Sequence, residues 1–336
     1  MNSSIFSFKG VLCATLCTVA LFATGCSNKK NNSTDKISDS SKQISIVTTI
    51  FAPYDFARAV AKNTSTTVTM LLPPGAEVHS WEPTAHDMIT IQNAALFIYA
   101  GGEGDVWADK LVASLDKPIS SIRMTDCVKL FEEEHPEGME PEHDDAADEK
   151  DTGSAQSADE VEWDEHVWTS PKNAMLIVQK IADTLCSIDE KNSSVYKKNA
   201  AAYLTQLEQL DNDFTTVVNS AKRKTVVFAD RFPARYFIEE FGLSYYAAFP
   251  GCSTDTEPSA KTVAFIINKV KEEKIPAVFY IELSNQKMAD TVCEATGCHK
   301  LLFNSCHNLS KKEFELGTTY LDVMKQNVQT LKEALN

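Results

Sequence analysis

Four side chains with metal-binding chemistry stand out in this sequence, partly because histidine is scarce. The chain has seven histidines among its 336 residues. His79, His166 and His307 lie in loop-like segments, and Asp230 directly follows the apolar run TVVFA. Three imidazoles and one carboxylate form a mixed nitrogen and oxygen set that suits Zn²⁺, whereas Mn²⁺ becomes more favourable as the carboxylate share rises.

Each of these residues also has an ordinary structural interpretation. A lone histidine is commonly a hydrogen-bonded or surface residue, Asp230 could cap a helix, and His307 could close a turn. Their shared position favours the functional interpretation, since ligands of open parallel sheets bind beyond the carboxyl ends of the strands. We therefore predict that the four side chains face one cleft.

The negative charge is concentrated in one segment. Residues 132–165 hold sixteen Asp and Glu against one lysine, Lys150, which equals the net charge of −15 for the whole chain. The remainder is close to neutral, and nothing basic indicates a nucleic-acid partner. Because the segment from 132 to 162 has no apolar periodicity, we expect it to be a disordered loop.

The amino terminus has the composition of an export signal. An apolar run of about sixteen residues follows one lysine, and a membrane-spanning helix needs roughly twenty. The run ends in FATGC, which resembles a bacterial lipobox with Ala23 in place of the usual leucine. We expect Cys26 to be lipidated and to hold the protein on the extracytoplasmic face of the cell membrane. A plain secretory signal or an anchor helix is the alternative.

The remaining cysteines match no small disulfide-stapled scaffold. Six lie beyond the expected lipidation site, and most should be buried thiols. Cys252 in FPGCS and Cys306 in NSCHN both have loop-like contexts, so they are the candidate disulfide pair. The six are Cys127, Cys186, Cys252, Cys293, Cys298 and Cys306.

Short apolar runs alternate with helical patterns along most of the chain, which predicts parallel sheets flanked by helices. From 192 to 221 the helical pattern continues without Gly or Pro, long enough to join two domains. We therefore predict an α/β fold of two lobes, each a parallel sheet flanked by helices, joined by one long rigid helix. The expected organisation is a signal peptide at 1–25, a tether at 26–43, an N-terminal lobe at 44–190, a linking helix at 191–221 and a C-terminal lobe at 222–336.

Several motifs resemble one family of transport proteins. IVTTIFAPYDFARAVA, LLPPGAEVHSWEPT, LFIYAGGEGDVWADKL and DEHVWTSPKNA are similar to segments of the metal-binding lipoproteins of zinc and manganese ABC transporters. The resemblance extends from about residue 44 to residue 336. It implies a monomeric, non-enzymatic solute-binding protein that carries a metal ion to a membrane permease and contacts the membrane only through its lipid anchor.

The resemblance also assigns the metal ligands. The first ligand of the family falls on His79 and the second on His166. The third, a His or Glu after a strand of the second lobe, has no histidine here, and Asp230 is the nearest acid. The fourth falls near NSCHN, where His307 is the candidate and Cys306 or Glu282 are reserves.

The acidic segment matches the charged loop of zinc-type members, although it holds only His135 and His143. The three histidines and this loop favour Zn²⁺ over Mn²⁺ as the transported ion. A surface-anchored zinc hydrolase is an alternative that needs a general base such as Glu77 or Glu282; no HExxH motif supports it. Cell adhesion as a secondary role is the third interpretation.

Overall fold

The computed structural model describes residues 43–115, 117–134, 138–139, 162–251 and 258–336. The expected signal peptide, Cys26 and nearly all of the tether lie outside the described residues, as do His135, His143, Cys252 and most of the acidic segment. Within the described ranges, no helix combines the length and the hydrophobicity that a membrane span requires.

Two four-stranded parallel sheets form the framework, which confirms the predicted α/β fold class. The first has the strand order β2-β1-β3-β4 and the second β6-β5-β7-β8. The central strands are largely buried, and the apolar run LFIY of the first sheet is buried at every residue, as expected where helices cover both faces. The strands are β1 Ser45–Thr48, β2 Thr67–Met70, β3 Leu96–Tyr99, β4 Ser120–Arg123, β5 Thr225–Arg231, β6 Ser244–Phe249, β7 Ala277–Tyr280 and β8 His299–Leu302.

Ten α-helices of the described residues connect and cover these strands. Side-chain caps begin several of them; Ser170 accepts a hydrogen bond from the backbone N–H of Asn173, and Pro171 follows as the first helical residue. The helices are α1 Phe51–Ala61, α2 Ala85–Gln92, α3 Val106–Ser114, α4 Pro171–Ile188, α5 Ser193–Ser220, α6 Arg235–Phe241, α7 Ala260–Glu272, α8 Lys287–Thr296, α9 Lys311–Glu315 and α10 Tyr320–Ala334.

The 28-residue helix α5 joins the two sheets, as the sequence predicted. At 1.5 Å per residue its length is roughly 42 Å. It buries one stripe with a spacing of three and four residues, the pattern of a helix that packs along one face. One hydrophobic cluster includes buried residues of both sheets, α4, α5 and α10. This shared core limits the relative motion of the lobes. The stripe consists of Tyr196, Ala200, Tyr203, Leu207, Leu210, Phe214 and Val217.

Strand β4 and helix α9 are two of the short elements that were not predicted from the sequence. Strand β4 lies at the edge of the first sheet and only Ile122 of its four residues is buried, so it lacks a continuous apolar run. Helix α9 has five residues and no buried position, but Ser310 and Glu313 cap it reciprocally. Neither element carries a hydrophobic period that a sequence pattern could reveal.

Candidate metal centre

The candidate site is formed by two turns that lie far apart in the sequence. Residues 164–166 precede the 3₁₀ turn Val167–Thr169, which leads into α4. His307 lies in the loop between β8 and α9. The two imidazole rings meet edge to face with their centroids 4.8 Å apart, and the indole of Trp168 packs 4.9 Å from the ring of His307. The predicted convergence of His166 and His307 is therefore present in the structure.

His166 is held by its neighbour Asp164. The Oδ1 atom of Asp164 accepts the backbone N–H of His166 at 2.8 Å and lies 3.1 Å from Nδ1 of the ring. The ring is fully buried, and its Nε2 atom has no hydrogen-bond partner among the described residues. A buried ring nitrogen without a partner is costly unless something binds it, and a metal ion is a suitable ligand.

The electrostatic environment of His166 attracts positive charge. Burial lowers its pKa, but the charges of Asp164, Glu165 and Glu133 raise it more, and the pKa comes to about 9. These carboxylates stabilise a cation beside the ring, whether it is a proton or a metal ion. A metal ion must replace the proton in order to bind.

His307 is oriented by Ser305 and Glu282. Its Nδ1 atom lies 2.7 Å from the hydroxyl of Ser305, and its backbone N–H donates to Glu282 at 3.2 Å. Trp168 donates its indole N–H to the backbone carbonyl of Ser305 at 2.8 Å, which ties the turn of His307 to the segment of His166.

Glu165 is the residue of this site that the sequence did not single out. Its carboxylate accepts the backbone N–H of Gly104 at 3.3 Å. Burial raises its pKa to about 7, although the neighbouring His166 lowers it. A Cβ atom at Gly102 would lie 2.0 Å from the carboxylate, so the glycine makes room for it. In the sequence Glu165 is one of sixteen acids in its segment, and no local signal separates it from the others.

Glu165, His166 and His307 bring their ligand atoms within 4.8 Å of one another. Among the described residues they are the one group of His, Cys, Asp or Glu with this proximity. In tetrahedral zinc, ligand atoms at about 2.0–2.1 Å from the metal are separated by roughly 3.3 Å. The separations in this group, at most 4.8 Å, therefore exceed that value by no more than about 1.5 Å.

A cavity of about 250 Å³ leads to this group from the N-terminal lobe. Val78 lines it together with Glu165, His307 and three tryptophans, Trp81, Trp107 and Trp168. The backbone of His79 belongs to the 3₁₀ turn Val78–Ser80, which the Glu77 side chain caps at Ser80 N. The side chain of His79 lies outside the described part of the structure. Its assignment as a ligand stays a prediction.

Asp230 lies outside the group that contains His166 and His307. It is buried at the carboxyl end of β5, and burial raises its pKa. Its Oδ1 accepts the backbone N–H of Arg231 at 2.9 Å and its Oδ2 accepts that of Ile281 at 3.3 Å. It does not belong to the group of converging ligand atoms. The geometry therefore favours Glu165 over Asp230.

Glu282 and Cys306, the alternative candidates for the fourth ligand, have other roles in the structure. Glu282 accepts hydrogen bonds from the turn of His307, as described above. Cys306, considered as a disulfide partner of Cys252, is a free and fully buried thiol, and burial raises its pKa. Cys252 lies outside the described residues.

The two ends of the acidic segment pack beside the site. Glu132 and Trp163 form an isolated antiparallel bridge. Glu133 accepts the backbone N–H of Gly251 at 2.7 Å. Gly251 lies so near His166 that a Cβ atom there would be 2.7 Å from Cε1 of the ring. These contacts close the site on the side of the C-terminal lobe.

A family model and individual known proteins both relate this chain to zinc-uptake and zinc-binding proteins. Residues 46–334 match the family described as zinc-uptake complex component A, periplasmic (ZnuA). The chain is 32% identical over 324 residues to the zinc-binding lipoprotein AdcA of Streptococcus pneumoniae, covering 96% of this chain and 60% of that protein. It is 29% identical over 329 residues to the high-affinity zinc uptake system protein ZnuA of Bacillus subtilis, covering 98% of each. The chain thus spans about 60% of the length of the first relative.

Solved structures show the same fold. The Zn(II)-bound ZnuA-like domain of Streptococcus pneumoniae AdcA matches with a TM-score of 0.70 and 29% identity, covering 87% of this chain and 99% of that one. The laminin-binding protein Lmb of Streptococcus agalactiae matches with a TM-score of 0.71 and 23% identity, covering 87% and 100%. At the latter identity the likeness concerns the fold alone. The matched family is a transport family and not an enzyme family.

Proposed function

Because this chain belongs to the ZnuA family of zinc-uptake components, we propose that it captures Zn²⁺ and delivers it to the permease of an ABC transporter. The observation that carries the proposal is the convergence of Glu165, His166 and His307 in a buried site at the end of a cavity. Relatives named for zinc binding support the choice of ion.

The proposed ligands are the imidazoles of His79, His166 and His307 and the carboxylate of Glu165. Three nitrogen atoms and one oxygen atom suit tetrahedral Zn²⁺. They disfavour Ca²⁺ and Mg²⁺, which prefer oxygen ligands. Mn²⁺ remains the alternative cargo, because it accepts imidazole and carboxylate together. The anionic Glu165 also offsets part of the charge of the ion in a buried site.

The ligands come from elements that share one hydrophobic core, so capture requires side-chain and loop shifts rather than wide closure of the lobes. The cavity beside Trp81 and Trp107 provides the path between solvent and Glu165. Transfer to a permease would then need contacts that loosen the two turns of the site. His166 and His307 lie on separate turns, which allows their separation to change.

Competitive Zn²⁺ and Mn²⁺ titrations test this assignment. His166→Ala, His307→Ala and Glu165→Gln should each weaken zinc binding by more than about 100-fold, since loss of even an indirect partner of a metal typically costs 10–100-fold. His79→Ala tests the ligand that the sequence predicts. Asp230→Asn tests the other acid that the sequence predicts: it should keep the zinc stoichiometry of the parent and lose less affinity than Glu165→Gln.

The outcomes separate the alternatives clearly. Parent-like zinc affinity in both His166→Ala and His307→Ala would refute the site. If Asp230→Asn lost zinc as His166→Ala does, Asp230 would be a ligand and the preference for Glu165 would be wrong. Tighter binding of Mn²⁺ than of Zn²⁺ by the parent would identify manganese as the cargo.

Anchoring through Cys26 is part of the proposal. A lipid on Cys26 would hold the protein outside the cell membrane, and the polar segment at 26–43 would act as a tether. Metabolic labelling with an alkyne fatty acid should mark the parent and not Cys26→Ala. Equal labelling of both proteins would contradict lipidation at this residue.

The acidic segment would concentrate cations near the site without fixed geometry. Deleting residues 140–160 retains the contacts of Glu133 and should slow zinc capture at low ionic strength, while one tight site remains. Stopped-flow measurements at low and high salt test this effect. Loss of tight binding in the deletion variant would show that the segment supplies ligands.

A further inference from the structure

We propose that Glu282 and Ser305 are positioning residues that hold His307 with its ring proton on Nδ1, so that Nε2 is the nitrogen that binds zinc. This inference rests on the proposed function, because it concerns one ligand of that site. It assigns a role to a carboxylate that lies outside the group of converging ligand atoms.

Glu282 lies in the loop after β7 and receives three hydrogen bonds from the turn of His307. Its Oε2 accepts the backbone N–H of Ser305 at 2.7 Å. Its Oε1 accepts the hydroxyl of Ser305 at 2.5 Å and the backbone N–H of His307 at 3.2 Å. A backbone N–H can only donate, so Oε2 and Oε1 of Glu282 each act as an acceptor toward this turn.

The direction of these bonds determines the proton position on His307. A hydroxyl has one hydrogen, and Ser305 gives it to Glu282. The hydroxyl oxygen of Ser305 lies 2.7 Å from Nδ1 of His307, and it can then only accept a hydrogen bond from that nitrogen. Nδ1 must therefore carry the proton. In a neutral imidazole this leaves the lone pair on Nε2, which is the form that a metal ion requires.

The surrounding turn keeps the hydroxyl of Ser305 in place. Cys306 has a φ of 62°, and its backbone N–H donates to the side chain of Asn304 at 2.8 Å. The carbonyl of Ser305 accepts the indole N–H of Trp168. The backbone on both sides of Ser305 is therefore fixed by contacts other than Glu282.

The loop of Glu282 is braced in turn by Asp230. The Oδ2 atom of Asp230 accepts the backbone N–H of Ile281 at 3.3 Å, and Ser284 forms a further side-chain hydrogen bond with it. Leu283, between these contacts, has a φ of 61°. Asp230 thus supports the site at a distance. His166 differs, because Asp164 contacts its ring directly.

Nitrogen-15 NMR of the metal-free full chain reports the proton position directly. His307 should show the Nδ1–H form in the parent, and Ser305→Ala should shift it toward Nε2–H and weaken zinc binding by about 10–100-fold. Ser305→Thr retains a hydroxyl and should restore the parent form. Ser259→Ala removes a comparable hydroxyl, the cap of α7, and should change neither readout.

Circular dichroism shows that each variant is folded before it is compared. An Nε2–H form of His307 in the parent would overturn the inference. Parent-like proton position and zinc affinity in a folded Ser305→Ala would overturn it as well. A different result tests the proposed function. If His307→Ala bound zinc as tightly as the parent, His307 would not be a ligand, whichever ring nitrogen of His307 carries the proton in the metal-free protein.

Discussion

A partly buried pair of carboxylates should make the stability of this protein depend on pH near neutrality. Asp211 on α5 faces Glu240 on α6, and neither Asp211 Oδ1 nor Glu240 Oε1 has a hydrogen-bond partner among the described residues. Lys172 lies 3.9 Å from one and 3.7 Å from the other. A proton shared between the two carboxylates would satisfy both atoms.

The magnitude follows from the displaced pKa of Glu240. Burial and the proximity of Asp211 raise this pKa from 4.5 to about 7. A raised pKa means that the folded state binds the proton more tightly than the unfolded chain does. The resulting stabilisation is complete below about pH 4.5 and is lost as the pH rises through about 7. At 1.36 kcal/mol per pH unit, it amounts to about 3 kcal/mol.

Glu240→Gln should remove this dependence. Its amide can donate to Asp211 in place of the shared proton and can still accept the hydroxyl of Ser170. Between about pH 5 and pH 8.5 the Tm of the parent should fall relative to the variant. For about 3 kcal/mol in a chain of this size the difference is roughly 6 °C. Differential scanning calorimetry at a series of pH values measures it.

Glu239→Gln is the matched control, because that side chain is about half exposed and pairs with Arg235 on the same helix. Its Tm should follow that of the parent at every pH. Parallel curves for the parent and Glu240→Gln would refute the reasoning, since no other titrating group differs between these two proteins. If Glu240→Gln lost more stability than the parent as the pH rose, the predicted direction of the pH dependence would be wrong.

Two further predictions concern the site and the thiols. Gly251→Ala would place a Cβ 2.7 Å from Cε1 of His166 and 2.8 Å from the backbone oxygen of Phe232, so it should push the ring aside, weaken zinc binding and also lower Tm. Gly242→Ala is the control. Gly242 has a φ of 60° and no atom lies near its Cβ position, so this variant should lower Tm and leave zinc binding unchanged. Equal zinc affinities of the two glycine variants in a titration would contradict this prediction. Cys293 Sγ and Cys298 Sγ lie 3.4 Å apart. Oxidised glutathione should therefore convert them to a disulfide and be reduced to two thiols. The protein should lose the mass of two hydrogens, and recovery of both thiols by alkylation would argue against the pair.

The fold class could be predicted because its signals are local. LFIY is apolar throughout and forms the buried strand β3. The long run without Gly or Pro became α5, with its buried stripe at helical spacing. β4 could not be predicted in this way, because an edge strand with one buried residue has no distinctive pattern.

The candidate site was only partly predictable. His166 and His307 stood out because histidine is scarce, and the structure brings them together. Glu165 was hidden among acids of the same segment. For Asp230, the register of β5 against β6 shifts between Phe228 and Arg231, and this irregularity affects where the following side chains lie. A shift of one residue moves a side chain to the other face of a sheet.

By itself, the sequence determined the alternation of strands and helices, the long linking helix and the residue types able to bind a metal ion. Hydrophobic periodicity and residue chemistry reside in short stretches of chain. Tertiary structure alone decided that Glu165 joins His166 and His307, and that Glu282 reaches the latter through Ser305. Glu165 and His307 are 142 positions apart in the sequence, and Glu282 and Ser305 are 23 positions apart. Their geometry depends on how the lobes pack and on the register of each strand, which no local pattern contains.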